Sequence, residues 1–450
     1  MVKIFGTDGI RGKANIFPLV GDLAYRLGKA LVYALDSQKN KKKKIIIGKD
    51  TRISGYMLES AITSGIVSMG ADAYLVGPMP TPAIAFLVKS MRADAGVVIS
   101  ASHNPFDDNG IKIFSHEGIK ISVELEELIE SYTLSNALDN IKFLGANIGK
   151  VFRIRDTLGR YIVFAKNVFP YNLELDGLRL VIDCANGATY KVAPMIFEEL
   201  GAEVIVTNNE PNGININEKC GSTYPNNIIE KTTLFRADVG IAFDGDGDRV
   251  VMVDETGKLI DGDAILSILA IDLKNKGKLK NNTVVGTIMS NFGLEHTLKQ
   301  NGINLERVDV GDKHIIQRML EKNYNLGGEP SGHIVLSDFN TTGDGIITAL
   351  AVLSIIVEKN VKLSSLLTNF TKVPEKTKNV HVSKKVNLEE IDDIQKAIEH
   401  VKNSLNGEGR LIVRYSGTEP VVRVTIESKD INIINEGIEL ISKTIEKHLS

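Results

Sequence analysis

The chain has 450 residues, a formal net charge of -3 and 24% charged residues, a balance that excludes a global basic field for holding nucleic acid. At roughly 150 residues per domain, its length predicts about three compact units. Two cysteines, Cys184 and Cys220, without a CxxC spacing argue against a disulfide framework or a zinc site and point to a reducing, cytoplasmic compartment.

The N-terminal stretch "MVKIFGTDGIRG" meets glycine and charge within a dozen residues, and no later apolar run reaches the roughly 18 residues of a membrane span. Neither an export signal nor an anchor is expected. The basic run "KNKKKK" from Lys39 to Lys44 lies between a helical pattern and the strand-like "IIIG", so it reads as a solvated loop. Three segments then begin alike: "KKIIIGKDTRISG" at Lys43, "LRLVIDCANGATY" at Leu178 and "NTVVGTIMSNFG" at Asn282. Each is a β-branched run, a Gly or Asn, and a helical pattern, the grammar of strand, loop and helix. A second strand follows at "GADAYLVG", "GAEVIVTN" and "GINLERVDVG". A third strand ends in a polar loop: "ADAGVVISASHNP" from Ala93 and "ADVGIAFDGDGDR" from Ala237 align so that Ser100 matches Asp244 and Ser102 matches Asp246. The third copy, "YNLGGEPSGHIVL" from Tyr324, is looser. Strands alternating with helices predict largely parallel sheets with ligands beyond the carboxyl ends of the strands. From about residue 371 the pattern changes to that of a smaller α+β domain.

Four loops offer chemistry. In "SASHNP", Ser, His and Asn adjoin, which raises a serine hydrolase. Neighbours in an extended segment point opposite ways, however, and no "GxSxG" elbow is present. The repeat suggests another use, because Ser102 would share a cleft with its partner loop, and phosphorylation there would supply a metal ligand and a transferable group. In "FDGDGDR", Asp244, Asp246 and Asp248 fall on alternate positions and share one face of an extended segment. Two carboxylates about 4 Å apart repel by roughly 4 kcal/mol at an effective dielectric near 20. An all-oxygen set of this kind suits Mg²⁺ or Ca²⁺. An EF-hand is excluded because Arg249 stands where the turn glycine belongs and "VVMVD" reads as a strand; a Gly/Asp turn without metal is the plain alternative. In "GGEPSGH", Glu329 and Ser331 can bond sugar hydroxyls and His333 can move a proton or donate to an anion. In "RYSGTEPVVR", Arg414 and Arg423 flank Ser416, Gly417 and Thr418, a phosphate cradle or else a hairpin turn with its arginines in solvent.

Taken together and in this order, "FGTDGIRG", "SASHNP", "DGDGDR", "GGEPSGH" and "RYSGTEP" resemble the α-D-phosphohexomutase superfamily over almost the whole chain. "FGTDGIRG" and "EPNGININEKCGSTYP", from Glu210 to Pro225, are similar to the branch of that family that acts on glucosamine phosphate. The resemblance implies an α/β fold of four domains around a central cleft. The first three share a mixed sheet-and-helix topology (1–155, 156–255, 256–370), and the fourth is a smaller α+β domain (371–450). It implies Ser102 as a phosphoserine that joins Asp244, Asp246 and Asp248 in holding one Mg²⁺, with Arg11, Lys112 and His333 at the transfer site. Arg249, Glu329 and Ser331 would bind the sugar phosphate, and Arg414, Ser416, Gly417, Thr418 and Arg423 its standing phosphate. Two departures, Tyr415 in place of a proline and Pro330 at the variable position of the sugar loop, remove no charged or hydroxyl group. Ser100 and His103 are expected to shape the loop.

The implied reaction interconverts glucosamine 6-phosphate and glucosamine 1-phosphate through a bisphosphorylated sugar. The nearest alternative is a phosphomannomutase or phosphoglucomutase using the same machinery. A metal-dependent sugar phosphatase or a non-catalytic sugar-phosphate sensor would leave Ser102 without a task. The expected partner is a small sugar phosphate, with neither nucleic acid nor membrane, and a homodimer is left open.

Overall fold

The structure, a computed structural model, describes residues 3–6, 8–35, 42–367, 370–416 and 420–449. These fall into two compact units, one of residues 1–289 with 302–368 and one of 290–301 with 369–450. Of the basic run, residues 39–41 lie outside the described residues, and Lys44 already opens a strand. No helix among the described residues is long and apolar enough to cross a membrane.

The first unit holds three sheets built on one plan. In the first, Lys44–Lys49 lies between Asp72–Pro78 and Ala95–Ile99, parallel to both, and Asp108–Ser115 pairs antiparallel with Ala95–Ile99. Arg179–Asp183, Glu203–Thr207, Val239–Phe243 and Val250–Asp254 repeat that arrangement. Thr283–Thr287, Asn304–Val308, Leu326–Gly328 and Ile334–Leu336 repeat it again. The first sheet grows further through Gly9–Lys13, Phe5–Gly6 and Val151–Arg153. Ala95–Ile99 and Val239–Phe243 are buried throughout, as strands covered on both faces must be, so their sequences are continuous apolar runs.

The consequence for function is positional. In all three sheets the loop between the third, parallel strand and its antiparallel partner is the polar one: residues 100–107, 244–249 and 329–333.

Below the first sheet, helices Gly21–Ala34 and Ser54–Ser68 cross where two glycines meet. A Cβ on Gly65 would lie 2.0 Å from the Tyr25 carbonyl oxygen and 3.2 Å from the Gly28 Cα. Backbone cannot retreat as a side chain can, so Gly65→Ala is expected to cost about 2–3 kcal/mol. Calorimetry should show this as an earlier unfolding transition of the first unit.

The second unit is a three-stranded antiparallel sheet, Glu375–His381, Val421–Ser428 and Gly409–Tyr415. Helices Asp392–Leu405 and Ile431–Leu449 cover it, closing a core of Val380, Ile394, Val401, Val422, Val424 and Ile441. Helix Phe292–Gln300 groups with this unit: the Asn291 side chain bonds Val373, and the Phe292 amide donates to the buried Glu427. Four domains therefore replace the three suggested by length, because a sheet and its helices close a core with about 100 residues.

Candidate active site

Ser102 stands in the loop that follows the buried strand Ala95–Ile99, with φ 52°, a left-handed conformation that costs a serine of order 1–3 kcal/mol and persists only where surroundings impose it. Here they do. Its amide donates to Ser100 Oγ at 2.9 Å, and Ser100 Oγ donates to Asp50 at 2.6 Å. Its carbonyl accepts from Arg52 and Asn217, each at 2.9 Å. With the main chain so held, Ser102 Oγ donates to Asp244 Oδ2 at 2.5 Å.

The left-handed turn also corrects an expectation about His103. Because the segment is not extended, successive side chains do not diverge, and His103 Nδ1 comes within 3.4 Å of Ser102 Oγ. Burial, with the charges of Arg249 and Arg11, lowers the His103 pKa to about 4, so this imidazole is neutral near pH 7.

Asp244, Asp246 and Asp248 are 0%, 1% and 5% exposed, and one oxygen from each lies within 4.8 Å of the others. Asp244 is pushed well above the ordinary carboxylate range by burial and by the charges of Asp248 and Asp246. Burial opposes the ionisation of Asp248 too, but Lys112 and His333 hold that group well below the usual range. Asp246 Oδ1 and Asp248 Oδ1 are buried without a hydrogen-bond partner among the described residues. A buried all-oxygen trio with two such oxygens suits a hard divalent cation. The strand Val250–Asp254, paired with Val239–Phe243, follows directly, as the exclusion of an EF-hand requires.

Cations surround the trio. Lys112, 2% exposed, places Nζ 3.1 Å from Asp246, 3.5 Å from Asp248 and 3.4 Å from Asp8. Burial disfavours its charge, but those three carboxylates raise its pKa and keep it an ammonium. Arg11 pairs with Asp8 and donates to the Ala101 carbonyl at 3.3 Å. His333 stands 3.7 Å from Asp248 and 3.9 Å from Asp312. Burial works against its charge, yet Asp248, Asp312 and Glu329 raise its pKa to about 9, so it is an imidazolium at neutral pH.

The loops carrying these residues are stitched together, with the Val250 amide donating to the Gly332 carbonyl at 3.1 Å. Glu329 accepts from the Gly311 amide and from Ser331 Oγ, both at 3.1 Å. Arg11, His103, Asp248, Arg249, Glu329 and His333 line one cavity of about 440 Å³, inside the range of small-molecule sites.

In the second unit, Arg414 and Arg423 are direct cross-strand partners. Residues directly opposite on neighbouring strands share one face of the sheet, so the two guanidiniums stand on the same face. Ser416 follows, its amide donating to the Val421 carbonyl at 2.8 Å. Gly417 and Thr418 lie outside the described residues.

Several members of the site carry no local signal. Lys120 bridges Asp8 and Asp312, the latter at 2.7 Å. Thr81 donates from Oγ1 to Asp246 at 2.7 Å. Asp8 alone lay within a stretch that sequence reasoning singled out, "FGTDGIRG".

The chain as a whole is similar to known proteins. Sequence models described as phosphoglucomutase/phosphomannomutase, alpha/beta/alpha domains I, II and III match residues 2–139, 160–257 and 261–373, and the C-terminal domain of the same family matches 372–440. A phosphoglucosamine mutase of Geobacter sp. (strain M21) is 49% identical over 449 residues, 100% of this chain and 99% of that one. A phosphoglucomutase/phosphomannomutase family protein from Burkholderia thailandensis has a TM-score of 0.80 at 22% identity, covering 99% of this chain and 98% of its own. The Aspergillus fumigatus N-acetylphosphoglucosamine mutase, solved with GlcNAc-6P and magnesium, has a TM-score of 0.68 at 18% identity over 100% of this chain and 96% of its own. At such identities the two structures speak to the fold.

Proposed function

We propose, for a chain that belongs to the phosphoglucosamine mutase family of phosphohexomutases, the interconversion of glucosamine 6-phosphate and glucosamine 1-phosphate by a phosphorylated Ser102. The observation that carries this reading is the Ser102 hydroxyl on Asp244, at the edge of a buried carboxylate trio ringed by cations. His103 Nδ1 lies 3.4 Å from Ser102 Oγ, but the hydroxyl donates to Asp244, and the carboxylates and cations around it make a setting for phosphoryl oxygens rather than for acyl transfer.

In the proposed cycle the bond between Ser102 Oγ and phosphorus breaks as a sugar hydroxyl oxygen bonds the same phosphorus, and the proton lost by that hydroxyl is balanced by one gained at Ser102 Oγ, leaving a bisphosphorylated sugar and a free serine. The intermediate turns around, and its other phosphate returns to Ser102 by the reverse exchange. Lys112 and Arg11 offset charge on the phosphoryl oxygens in flight, and the His333 imidazolium donates to an oxygen that gains charge. Glu329 accepts from a sugar hydroxyl and Ser331 orients that carboxylate. Arg249 reaches the same cavity, while Arg414, Ser416, Gly417, Thr418 and Arg423 hold the phosphate that does not react.

We infer Mg²⁺ as the cation, held by Asp244, Asp246 and Asp248 with the phosphate of Ser102, where it supplies charge neutralisation of the transferred group. Cys184 and Cys220 are buried free thiols, which supports a cytoplasmic enzyme.

The test is a comparison of glucosamine, glucose and mannose 6-phosphates at equal Mg²⁺. A kcat/KM at least about tenfold higher for glucosamine 6-phosphate is expected, the scale on which one polar contact discriminates. A tenfold preference for mannose 6-phosphate would assign the chain to the phosphomannomutase reaction instead.

A further inference from the structure

The segment Glu210–Pro225 carries a branch resemblance yet contributes none of the residues that line the 440 Å³ cavity. Its course is nonetheless closely defined. Gly213, Asn217, Lys219 and Gly221 all have positive φ, and the Gly213 carbonyl accepts from the Ile53 amide at 2.9 Å. The Asn217 amide donates to the Ala185 carbonyl at 2.9 Å. These bonds aim one side chain: Asn217 Nδ2 donates to the Ser102 carbonyl at 2.9 Å and to the Asn104 carbonyl at 3.1 Å.

The same two carbonyls are also held by Arg52, 0% exposed. One terminal nitrogen of Arg52 donates to Ser102 at 2.9 Å and to Asn104 at 2.8 Å, the other to Asp108 at 3.0 Å and to Pro105, and Nε to Asp50 at 2.8 Å. All five donors of the guanidinium are thereby used. A buried ion pair is a poor device for stability, since desolvation offsets its attraction; what a fully engaged fork supplies is geometry.

Arg52 and Ser102 belong to the first sheet and its loops, so Arg52 fixes the serine within its own domain. Asn217 comes from the domain that bears Asp244, Asp246 and Asp248. The two frames meet closely, for a Cβ on Gly245 would lie 2.6 Å from the Ser102 carbonyl oxygen and 2.7 Å from Asn217 Nδ2.

We propose that Asn217 is a positioning residue for phosphoryl transfer: with Arg52 it clamps the Ser102 carbonyl, and so sets the direction of Ser102 Oγ against the carboxylate loop of the neighbouring domain. This rests on the reading of Ser102 as the phosphoryl carrier. Without Asn217 the loop keeps its Arg52 bonds and stays folded, but its alignment with Asp244 is no longer tied to the domain that carries Asp244.

The test uses the full-length enzyme with Mg²⁺. Asn217→Asp keeps the side-chain shape and tolerance of positive φ but offers no donor; Asn217→Gly keeps the backbone and removes the side chain. Both are expected to lower kcat, and the single-turnover transfer from phosphorylated Ser102 to glucosamine 6-phosphate, by about 10²-fold, the effect of an ångström-scale misplacement. KM should change less than about threefold, because no substrate contact is removed. The thermal midpoint of Asn217→Gly should stay near that of the wild type. Transfer rates within twofold of wild type in either folded variant, or a loss that appears in KM and thermal stability rather than in transfer, overturn the positioning role. Intact-mass analysis of the wild type separates the two claims. Absence of phosphate on Ser102 after incubation with a hexose bisphosphate overturns the carrier reading itself, whereas a phosphorylated wild type with unimpaired Asn217 variants overturns only the clamp.

Discussion

Ser102→Ala is expected to reduce isomerisation by about 10⁴-fold or more, the scale seen when a covalent nucleophile is removed. The hydroxyl is the only atom of that side chain able to carry a phosphoryl group, and it already faces Asp244 at 2.5 Å. Intact mass should show one phosphoryl group on the wild type and none on the variant. Adding a hexose bisphosphate should restore phosphate to dephosphorylated wild type but leave the variant unmodified. The fold should survive, since the bonds that hold this residue use its amide and carbonyl. A variant that isomerises at the wild-type rate would exclude a phosphoserine relay.

Asp244→Asn is expected to separate stability from activity. Burial and the charges of Asp248 and Asp246 raise the Asp244 pKa far above that of an exposed carboxyl. An acid whose pKa rises on folding binds more protons folded than unfolded, so the contribution of Asp244 to the stability of the metal-free wild type falls as pH rises from the ordinary carboxylate range towards neutrality. Asparagine cannot ionise, and the metal-free variant should be more stable near pH 7 by about 1 kcal/mol. Mg²⁺ at a hundred times its Kd should stabilise the wild type by about 2.7 kcal/mol and the variant far less. Activity should fall about 10³-fold, as when one electrostatic stabiliser of a transition state is lost. Thermal melts with and without Mg²⁺, at pH 5 and pH 7, check the order; equal Mg²⁺ stabilisation of both proteins would remove Asp244 from the ligand set.

Much of the site was legible because its loops are local. "SASHNP", "FDGDGDR" and "GGEPSGH" each pack their polar groups into a few residues after a strand, and the repeat that aligned Ser102 with Asp246 corresponds to a shared sheet plan. Local reasoning failed where it assumed a backbone state: an extended "SASHNP" sends His103 away from Ser102, whereas φ 52° at Ser102 brings it near. It also missed residues defined only by distant partners. Lys120 meets Asp312 from 192 positions away, and Asn217 meets Ser102 from 115. A lysine with no special neighbours in the chain looks like any surface residue, and nothing local to Asn217, though it sits in the stretch Glu210–Pro225, says that its side chain reaches Ser102.

What the sequence by itself determined is the kind of chemistry and where along the chain it sits. Strand-ending loops rich in carboxylate, hydroxyl and imidazole groups are written in contiguous residues, with a spacing that specifies which side chains share a face. Only the tertiary structure decided which loop faces which, what protonation each group takes, and how the serine is aimed. Those depend on burial and on charges brought within about 4 Å from distant segments, and electrostatic energy in a low-dielectric interior is set by such distances rather than by order in the chain.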